Sequence, residues 1–246
     1  MHSLLAALLQ DPLIRDVRNC FAGNTQSLVY GLAGSQKHAV FAACYADAPR
    51  PLILLTHQHE SLSDWRQDLH ALLPDTEVLE LPELDAMDVQ ATAKGIELSA
   101  RRMEVLGHLM RGENCIVLAE AAAAVQKGMS RAEFERMSIS ISLGDVLPRE
   151  TLLERLVQLG YEHAPEVERL GQFSARGGIV DVFPVNSLVP QRIEFFDDEV
   201  DSIRDFDAES KRSIRNVSRI SIFPLAQTDK SGRPELFLNY LSERSE

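Results

Sequence analysis

The residues that come closest to a chemical motif lie between Gly31 and His38, in the stretch GLAGSQKH. A phosphate-binding loop has the pattern G-x-x-x-x-G-K-[ST], in which backbone N–H groups surround the phosphates, the lysine contacts them and the hydroxyl holds Mg²⁺. This stretch keeps the first glycine, Gly31, and the lysine, Lys37. It has Gln36 in place of the second required glycine and His38 in place of the hydroxyl residue.

Both departures oppose nucleotide binding. The Cβ of Gln36 disfavours the positive φ that the loop needs, and the imidazole of His38 is a poor ligand for a hard cation that prefers oxygen. Three interpretations of the pattern stay open: an ordinary turn, a degenerate nucleotide loop that includes Gly34 and Ser35, and a functional loop. We expect a chain that binds neither ATP nor magnesium and has no catalytic residue.

Three other groups of polar residues are better explained as parts of the protein surface than as metal-binding or DNA-binding sites. His57 and His59 are two residues apart, but no third metal ligand is near them in the sequence, so surface histidines are favoured and no metal site is predicted. The adjacent Arg101 and Arg102 could contact DNA phosphates, although a solvated helix face is the more common role of such a pair. An acidic run is more typical of a solvated turn than of a metal site: Glu194, Asp197, Asp198, Glu199 and Asp201.

Composition narrows the functional classes. The chain has 246 residues, of which 45% are hydrophobic, enough for one large domain or two small ones. Its net charge of −12 argues against attraction of nucleic acid to the whole surface, while a local basic patch stays open. The three cysteines are widely separated, which favours reduced thiols in a cytosolic protein. Neither a signal peptide nor a run as long as a membrane span is evident, so a cytoplasmic location is expected.

The first half of the chain alternates strand and helix patterns. Apolar runs predict strands at residues 27–32, 51–57, 76–81 and 114–120, and helical patterns separate them. Continuous aliphatic runs are typical of strands buried on both faces, and the βαβα order predicts a parallel sheet with helices on both faces. The Gly31–His38 stretch follows the first of these strands, where such sheets bind phosphates. This position favours a degenerate nucleotide loop over a simple turn.

The pattern changes near Arg136. Residues 138–143 alternate as in a strand with one solvated face, residues 148–160 predict a helix, and several short strands separated by polar turns follow. We therefore predict an α/β chain: a parallel-sheet, P-loop-like domain over residues 1–136 and a smaller antiparallel α+β domain over residues 137–223. For the remaining residues, 224–246, the sequence predicts a loop and one short helix.

The second predicted domain carries the most specific resemblance. The segments ARGGIVDVFP, RIEFFDDEVDSIRDFD and ISIFP closely resemble the second domain of the excision-repair protein UvrB, and still more that of the transcription-repair coupling factors, the Mfd family. UvrB has an intact phosphate loop and a tyrosine-rich hairpin that clamps DNA. Here the loop is degenerate, and no Phe, Tyr or Trp occurs between Gln67 and Glu133 to stack on bases. The chain therefore resembles the coupling factors more than UvrB.

The resemblance implies an amino-terminal docking module without hydrolytic activity, with domains like 1a and 2 of UvrB and the start of domain 1b. It implies recruitment of the damage-recognition protein UvrA. The resemblance also implies that a full-length family member is an ATP-dependent DNA translocase, which binds RNA polymerase and DNA through modules outside these 246 residues. Residues that align with the UvrA contact of the family are Arg176, Arg192 and Phe196.

The alternation of QRIEFF supports this site independently. Period-2 alternation places Arg192, Glu194 and Phe196 on one strand face, so an aromatic ring shares the polar face with an arginine. Such pairs are enriched in interface hot spots. Alternatively, Phe196 could pack under the following acidic loop as part of a small core. None of the three side chains is expected to stabilise the domain core.

Two other functions remain as alternatives to the docking module. One is a nucleotide-dependent, DNA-binding repair helicase fragment like UvrB, which the loop residues Gln36 and His38 disfavour. The other is a DNA clamp, which the net charge and the missing aromatic residues disfavour. Separate binding measurements with UvrA, with ATP and magnesium, and with duplex DNA distinguish the three.

Overall fold

The computed structural model of the chain describes residues 3–23, 26, 28–57, 59–84, 93–225 and 235–236. The chain divides into two compact units, a first unit of residues 1–82 with 108–125 and a second unit of residues 83–107 with 126–246. The domain limits at residues 136 and 223 stay predictions. Most of the segment 224–246, with its predicted short helix, lies outside the described residues.

The first unit contains a small parallel sheet with helices. Its elements, including the helix α5 that continues from one unit into the other, are α1 (Ser3–Gln10), α2 (Pro12–Ala22), α3 (Gln36–Asp47), β1 (Leu52–Thr56), α4 (His59–Leu72), β2 (Glu77–Leu81), α5 (Ala93–Arg111), β3 (Cys115–Glu120) and α6 (Ala121–Ala124). The sheet has the order β1–β3–β2, and both pairings are parallel. The predicted parallel sheet is thus confirmed for three of its four strands.

The aliphatic strands of this sheet supply the core of the first unit. Residues 115–119 of the central strand β3 are fully buried, as expected for a strand with neighbours on both sides and both faces covered. Ile116 and Leu118 pack with the buried Tyr45 of α3 and with Trp65 and Leu69 of α4. Burial of each large side chain of this kind contributes about 2 kcal/mol.

The predicted strand at residues 27–32 is wrong for the residues that the structure describes. Residues 28–32 form no strand, and the side chains of Leu28 and Tyr30 are each 87% exposed. A strand needs a hydrogen-bonded neighbour, and no described strand of the sheet pairs with this stretch. An apolar run by itself does not supply that neighbour.

Among the described residues, the second unit contains the first part of α5, three further sheets and two shorter helices. Besides α5, its elements are β4 (Lys127–Gly128), α7 (Arg131–Met137), β5 (Ile139–Ser142), α8 (Arg149–Gln158), β6 (Glu162–His163), β7 (Gln172–Arg176), β8 (Ile179–Val182), β9 (Gln191–Phe196), β10 (Glu199–Phe206), β11 (Ser213–Asn216), β12 (Arg219–Ile222) and β13 (Glu235–Leu236). The strand predicted at residues 138–143 is confirmed as β5 and the helix predicted at 148–160 as α8. The short strands predicted to follow that helix are present as β6 to β12.

The main sheet of the second unit positions the candidate site. Its order is β11–β10–β9–β8–β7–β6, antiparallel except for the β6–β7 pair. Val180, Ile193 and Ile203 lie opposite one another along one row, and each is almost fully buried. The opposite face of the sheet carries polar and charged side chains. The mixed α/β class, with parallel and antiparallel sheets, is as predicted.

Tyr161 joins the end of α8 to two later segments. Its buried hydroxyl donates to the carbonyl of Phe223 at 2.9 Å and accepts from the N–H of Val185 at 3.2 Å. Burial raises the pKa of the Tyr161 hydroxyl, so it stays neutral. These two bonds tie the end of α8 to the segments at Val185 and Phe223 within the second unit. Among the described residues, no helix has the length and apolar character needed to span a membrane.

Candidate docking site

The strands β7 to β10 bring the three sequence-predicted residues onto one face. In the register, Arg192 lies opposite Asp181 of β8 and Arg204 of β10, and Arg176 lies opposite Ile179, which in turn lies opposite Glu194. Residues directly opposite in a ladder point to the same side, as do alternate residues along a strand. Arg176, Arg192 and Phe196 thus share the face predicted by the alternation of QRIEFF.

Arg192 is held by a buried carboxylate. Its Nε and Nη2 donate to the two oxygens of Asp181 at 2.6 and 2.8 Å, and only 4% of Asp181 is exposed. This hydrogen bonding raises the pKa of Arg192. The guanidinium also lies 4.9 Å from the ring centroid of Phe206. These contacts predict that Arg192 stabilises the unit, contrary to the expectation from the sequence, because its removal would leave a buried charge without its main partner.

Arg176 stands at the end of β7, where the chain turns through Gly177 and Gly178. Its side chain is 56% exposed, and its Nη2 lies 3.5 Å from the same Asp181 oxygen atom Oδ2. Gly177 has a φ of +56°, and a Cβ on Gly178 would lie 2.8 Å from the carbonyl oxygen of Phe195. Both glycines are thus required by the turn and the close approach, and the predicted position of Arg176 at the mouth of the strand is confirmed.

Phe196 ends β9 and is 74% exposed. A two-residue turn, Asp197 and Asp198, connects it to Glu199, which lies opposite it on β10. Asp197 has a φ of +53°, a conformation that Asp tolerates better than most residues and that two-residue hairpins often need. The alternative in which Phe196 packs under this acidic loop is wrong. Its ring is available to a partner.

One charged group of this face, Asp181, was not identified from the sequence, where it sits between apolar residues in IVDVFP. Glu194, which the alternation placed on this face, accepts from the hydroxyl of Ser202 at 2.9 Å and forms an ion pair with Arg204. Asp181 had one usable signal, since a carboxylate within an otherwise apolar strand needs a cationic partner. The identity of that partner depends on the β8–β9 register, which the local sequence does not contain.

The degenerate loop of the first unit has its polar groups engaged with one another. Gly31 and Gly34 have φ of +86° and +51°, and α3 begins directly after Ser35. The side-chain oxygen of Gln36 accepts from the N–H of Ala33 at 3.1 Å. That contact occupies one of the amides that a phosphate-binding loop would direct at its ligand.

The remaining two residues of the loop pack on α4. His38 is 4% exposed and its Nδ1 lies 2.6 Å from Oδ2 of Asp68. This hydrogen bond lowers the pKa of Asp68. The imidazole lies 4.0 Å from the Trp65 ring between centroids, and the Lys37 ammonium lies 5.9 Å from the same ring. His38 is thus a packed residue whose Nδ1 is hydrogen-bonded inside the unit.

The other candidates have structural roles. Among the described residues, no group of three or more His, Cys, Asp or Glu side chains could hold a metal ion. Arg101 pairs with Glu97 on the exposed face of α5 at 2.7 Å, as expected for a solvated helix face. Arg102 differs from that expectation because it is 4% exposed, and its burial lowers its pKa to about 10. Its Nη1 donates to the side-chain oxygen of Gln126 at 3.3 Å.

Comparison with known proteins gives a family match that lies within the second unit. Residues 139–227 match the family described as the UvrB interaction domain. The chain is 36% identical over 203 residues to a transcription-repair-coupling factor of Bacillus subtilis, which covers 82% of the chain and 17% of that protein. It is 30% identical over 223 residues to that of Staphylococcus aureus strain USA300, covering 90% of the chain and 19% of that protein.

The chain thus spans less than a fifth of the length of these curated relatives. The matched family segment begins at Ile139, the first residue of β5, and contains all of the strands that carry the candidate site. The resemblance inferred from the sequence is confirmed: the chain is a UvrB-homologous module of the transcription-repair-coupling factor family.

Proposed function

We propose that the chain is a non-catalytic docking module that binds UvrA through Arg176, Arg192 and Phe196. The observation that carries this proposal is the shared face of the three side chains, within the segment that matches the UvrB interaction domain. In the full-length protein, other modules would bind RNA polymerase and DNA in the bacterial cytoplasm. The docking module would then bring the excision-repair machinery to a stalled transcription complex.

The chemistry of the face suits a protein partner with carboxylates around an apolar pocket. Arg176 offers a forked, permanently charged donor, and its long contact to Asp181 leaves much of the guanidinium exposed. Asp181 fixes Arg192 in one orientation, so little conformational entropy is lost when a partner binds there. The exposed ring of Phe196 adds an apolar anchor beside the two charges.

Arg176 provides the first test of this function. We expect purified UvrA to bind the chain in a calorimetric titration, and Arg176→Ala to weaken that binding about tenfold because an exposed forked donor is lost. Arg169→Ala is the matched control, since Arg169 is similarly exposed, at 62%, and lies in the same unit outside the proposed face. An absence of binding to the unmodified chain contradicts the function, and equal losses in both variants contradict the site.

A nucleotide is not expected to bind to the first unit. Gln36 occupies an amide of the loop and His38 is committed to Asp68, so the loop lacks both the open cradle and the hydroxyl for magnesium. We expect a calorimetric titration with ATP and magnesium to release no heat of binding. The double variant Gln36→Gly with His38→Thr is expected to show no ATP turnover either. Micromolar affinity of the unmodified chain for ATP would contradict this expectation.

A further inference from the structure

A second exposed apolar side chain lies beside Phe196, on the segment Leu143–Leu147 between β5 and α8. This segment runs along β10 and is hydrogen-bonded to it: the N–H of Val200 donates to the carbonyl of Asp145 at 2.9 Å, and the N–H of Leu147 donates to that of Asp198 at 2.8 Å. These bonds place Val146 directly opposite Glu199 in an antiparallel bridge. The segment therefore lies along the edge of β10 opposite to β9, next to the tip of the β9–β10 hairpin.

Glu199 has an exposed apolar neighbour on each side. Phe196 lies opposite it on β9 and Val146 lies opposite it on the other side, so the three side chains point to the same face. With adjacent strands about 4.8 Å apart, Phe196 and Val146 are about 10 Å apart across Glu199. Val146 is 78% exposed and Phe196 is 74% exposed. We call Phe196, Glu199 and Val146 the hairpin row.

The carboxylate of Glu199 is also available. Among the described residues, none forms a hydrogen bond or an ion pair with its side chain, whereas Glu194 on the same face is paired with Arg204 and Ser202. An unpaired carboxylate between two exposed apolar groups fits one kind of ligand group. A lysine or arginine can place its charged head on the carboxylate and its aliphatic stem against the apolar side chains.

We propose that the docking surface continues along the hairpin row and that the partner places a basic side chain on Glu199, between Phe196 and Val146. This inference rests on the proposed function, and the partner is the same one, because Phe196 belongs to both surfaces. A standard interface buries about 800 Å² per partner. One partner protein can therefore cover both the two arginines and the hairpin row. The face thus has opposite charge preferences at its two ends: the partner's carboxylates meet Arg176, and its basic residue meets Glu199.

The test compares two variants of the row with matched controls. Val146→Ser and Glu199→Gln are each expected to weaken UvrA binding about fivefold or more in calorimetry. Glu199→Gln is also expected to reduce the salt dependence of the dissociation constant, since one ion pair is lost. Val157→Ser and Glu154→Gln are the controls, because both residues are exposed on α8, outside the row, and are expected to change the affinity less than twofold.

The outcomes separate this inference from the function on which it rests. If Phe196→Ala weakens binding while Val146→Ser and Glu199→Gln bind as the unmodified chain does, the hairpin row is overturned and the docking function stands. If the unmodified chain does not bind UvrA, both are overturned. Thermal denaturation checks that each variant is folded. We expect this because Val146 is exposed and Glu199 has no side-chain partner in the described part of the chain.

Discussion

Replacing Arg192 by alanine is expected to lower the free energy of unfolding by about 3 kcal/mol. The guanidinium makes two hydrogen bonds to Asp181, at 2.6 and 2.8 Å, and the Asp181 side chain is 5% exposed. Without Arg192, this carboxylate stays buried with only a long contact to the half-exposed Arg176. The packing of the guanidinium against the Phe206 ring is lost as well.

Urea denaturation followed by circular dichroism measures this effect. Arg176→Ala is the control, because Arg176 is 56% exposed and its removal is expected to cost less than about 0.5 kcal/mol. Adding Asp181→Asn to Arg192→Ala removes the buried charge and is expected to recover part of the lost stability. An Arg192→Ala protein as stable as the unmodified one would show that Asp181 tolerates burial without this partner. Affinity measurements on Arg192 variants therefore need a stability measurement beside them.

Two strands of the first unit were predictable because their signal is local. Continuous aliphatic runs at residues 51–57 and 114–120 both form strands of the parallel sheet. Burial on both faces, which was expected of both runs, is found for the central strand β3, whereas β1 is partly exposed. Residues 28–32 have a similar local signal and form no strand in the structure. The first two runs have a strand to pair with, and residues 28–32 have none in the described part of the chain. Whether a pairing strand exists depends on distant segments of the chain, so the run itself does not predict it.

The candidate site shows the same division between local and distant information. Alternation along β9 was sufficient to place Arg192 and Phe196 on one face, because the direction of side chains along a strand has a period of two. The stabilising role of Arg192 was not predictable, since it comes from Asp181 on a neighbouring strand. The burial of Arg102 on α5 was missed for a related reason: its neighbour Arg101 is exposed, and two adjacent helix residues point in different directions.

Replacing Phe196 by alanine is expected to weaken UvrA binding tenfold or more, a loss of at least about 1.4 kcal/mol of binding free energy. The ring is 74% exposed in the unbound chain, so it has apolar surface to bury against a partner. The ring lies on the same sheet face as two arginines. Aromatic residues and arginines are enriched among the few side chains that contribute most of the binding free energy of an interface. Because the ring contributes little to the core, the thermal midpoint is expected to change by less than about 2 °C.

Leu188→Ala is the matched control for this experiment. Leu188 is 96% exposed and lies in the segment before β9, whereas Phe196 ends that strand, so its replacement removes exposed apolar surface away from the proposed face. We expect its affinity for UvrA to equal that of the unmodified chain. A Phe196→Leu variant is expected to fall between the two, because a leucine keeps apolar contact and loses the ring. Unchanged affinity of Phe196→Ala would remove the apolar anchor from the proposed site, and a large drop in its thermal midpoint would show that the ring stabilises the hairpin instead.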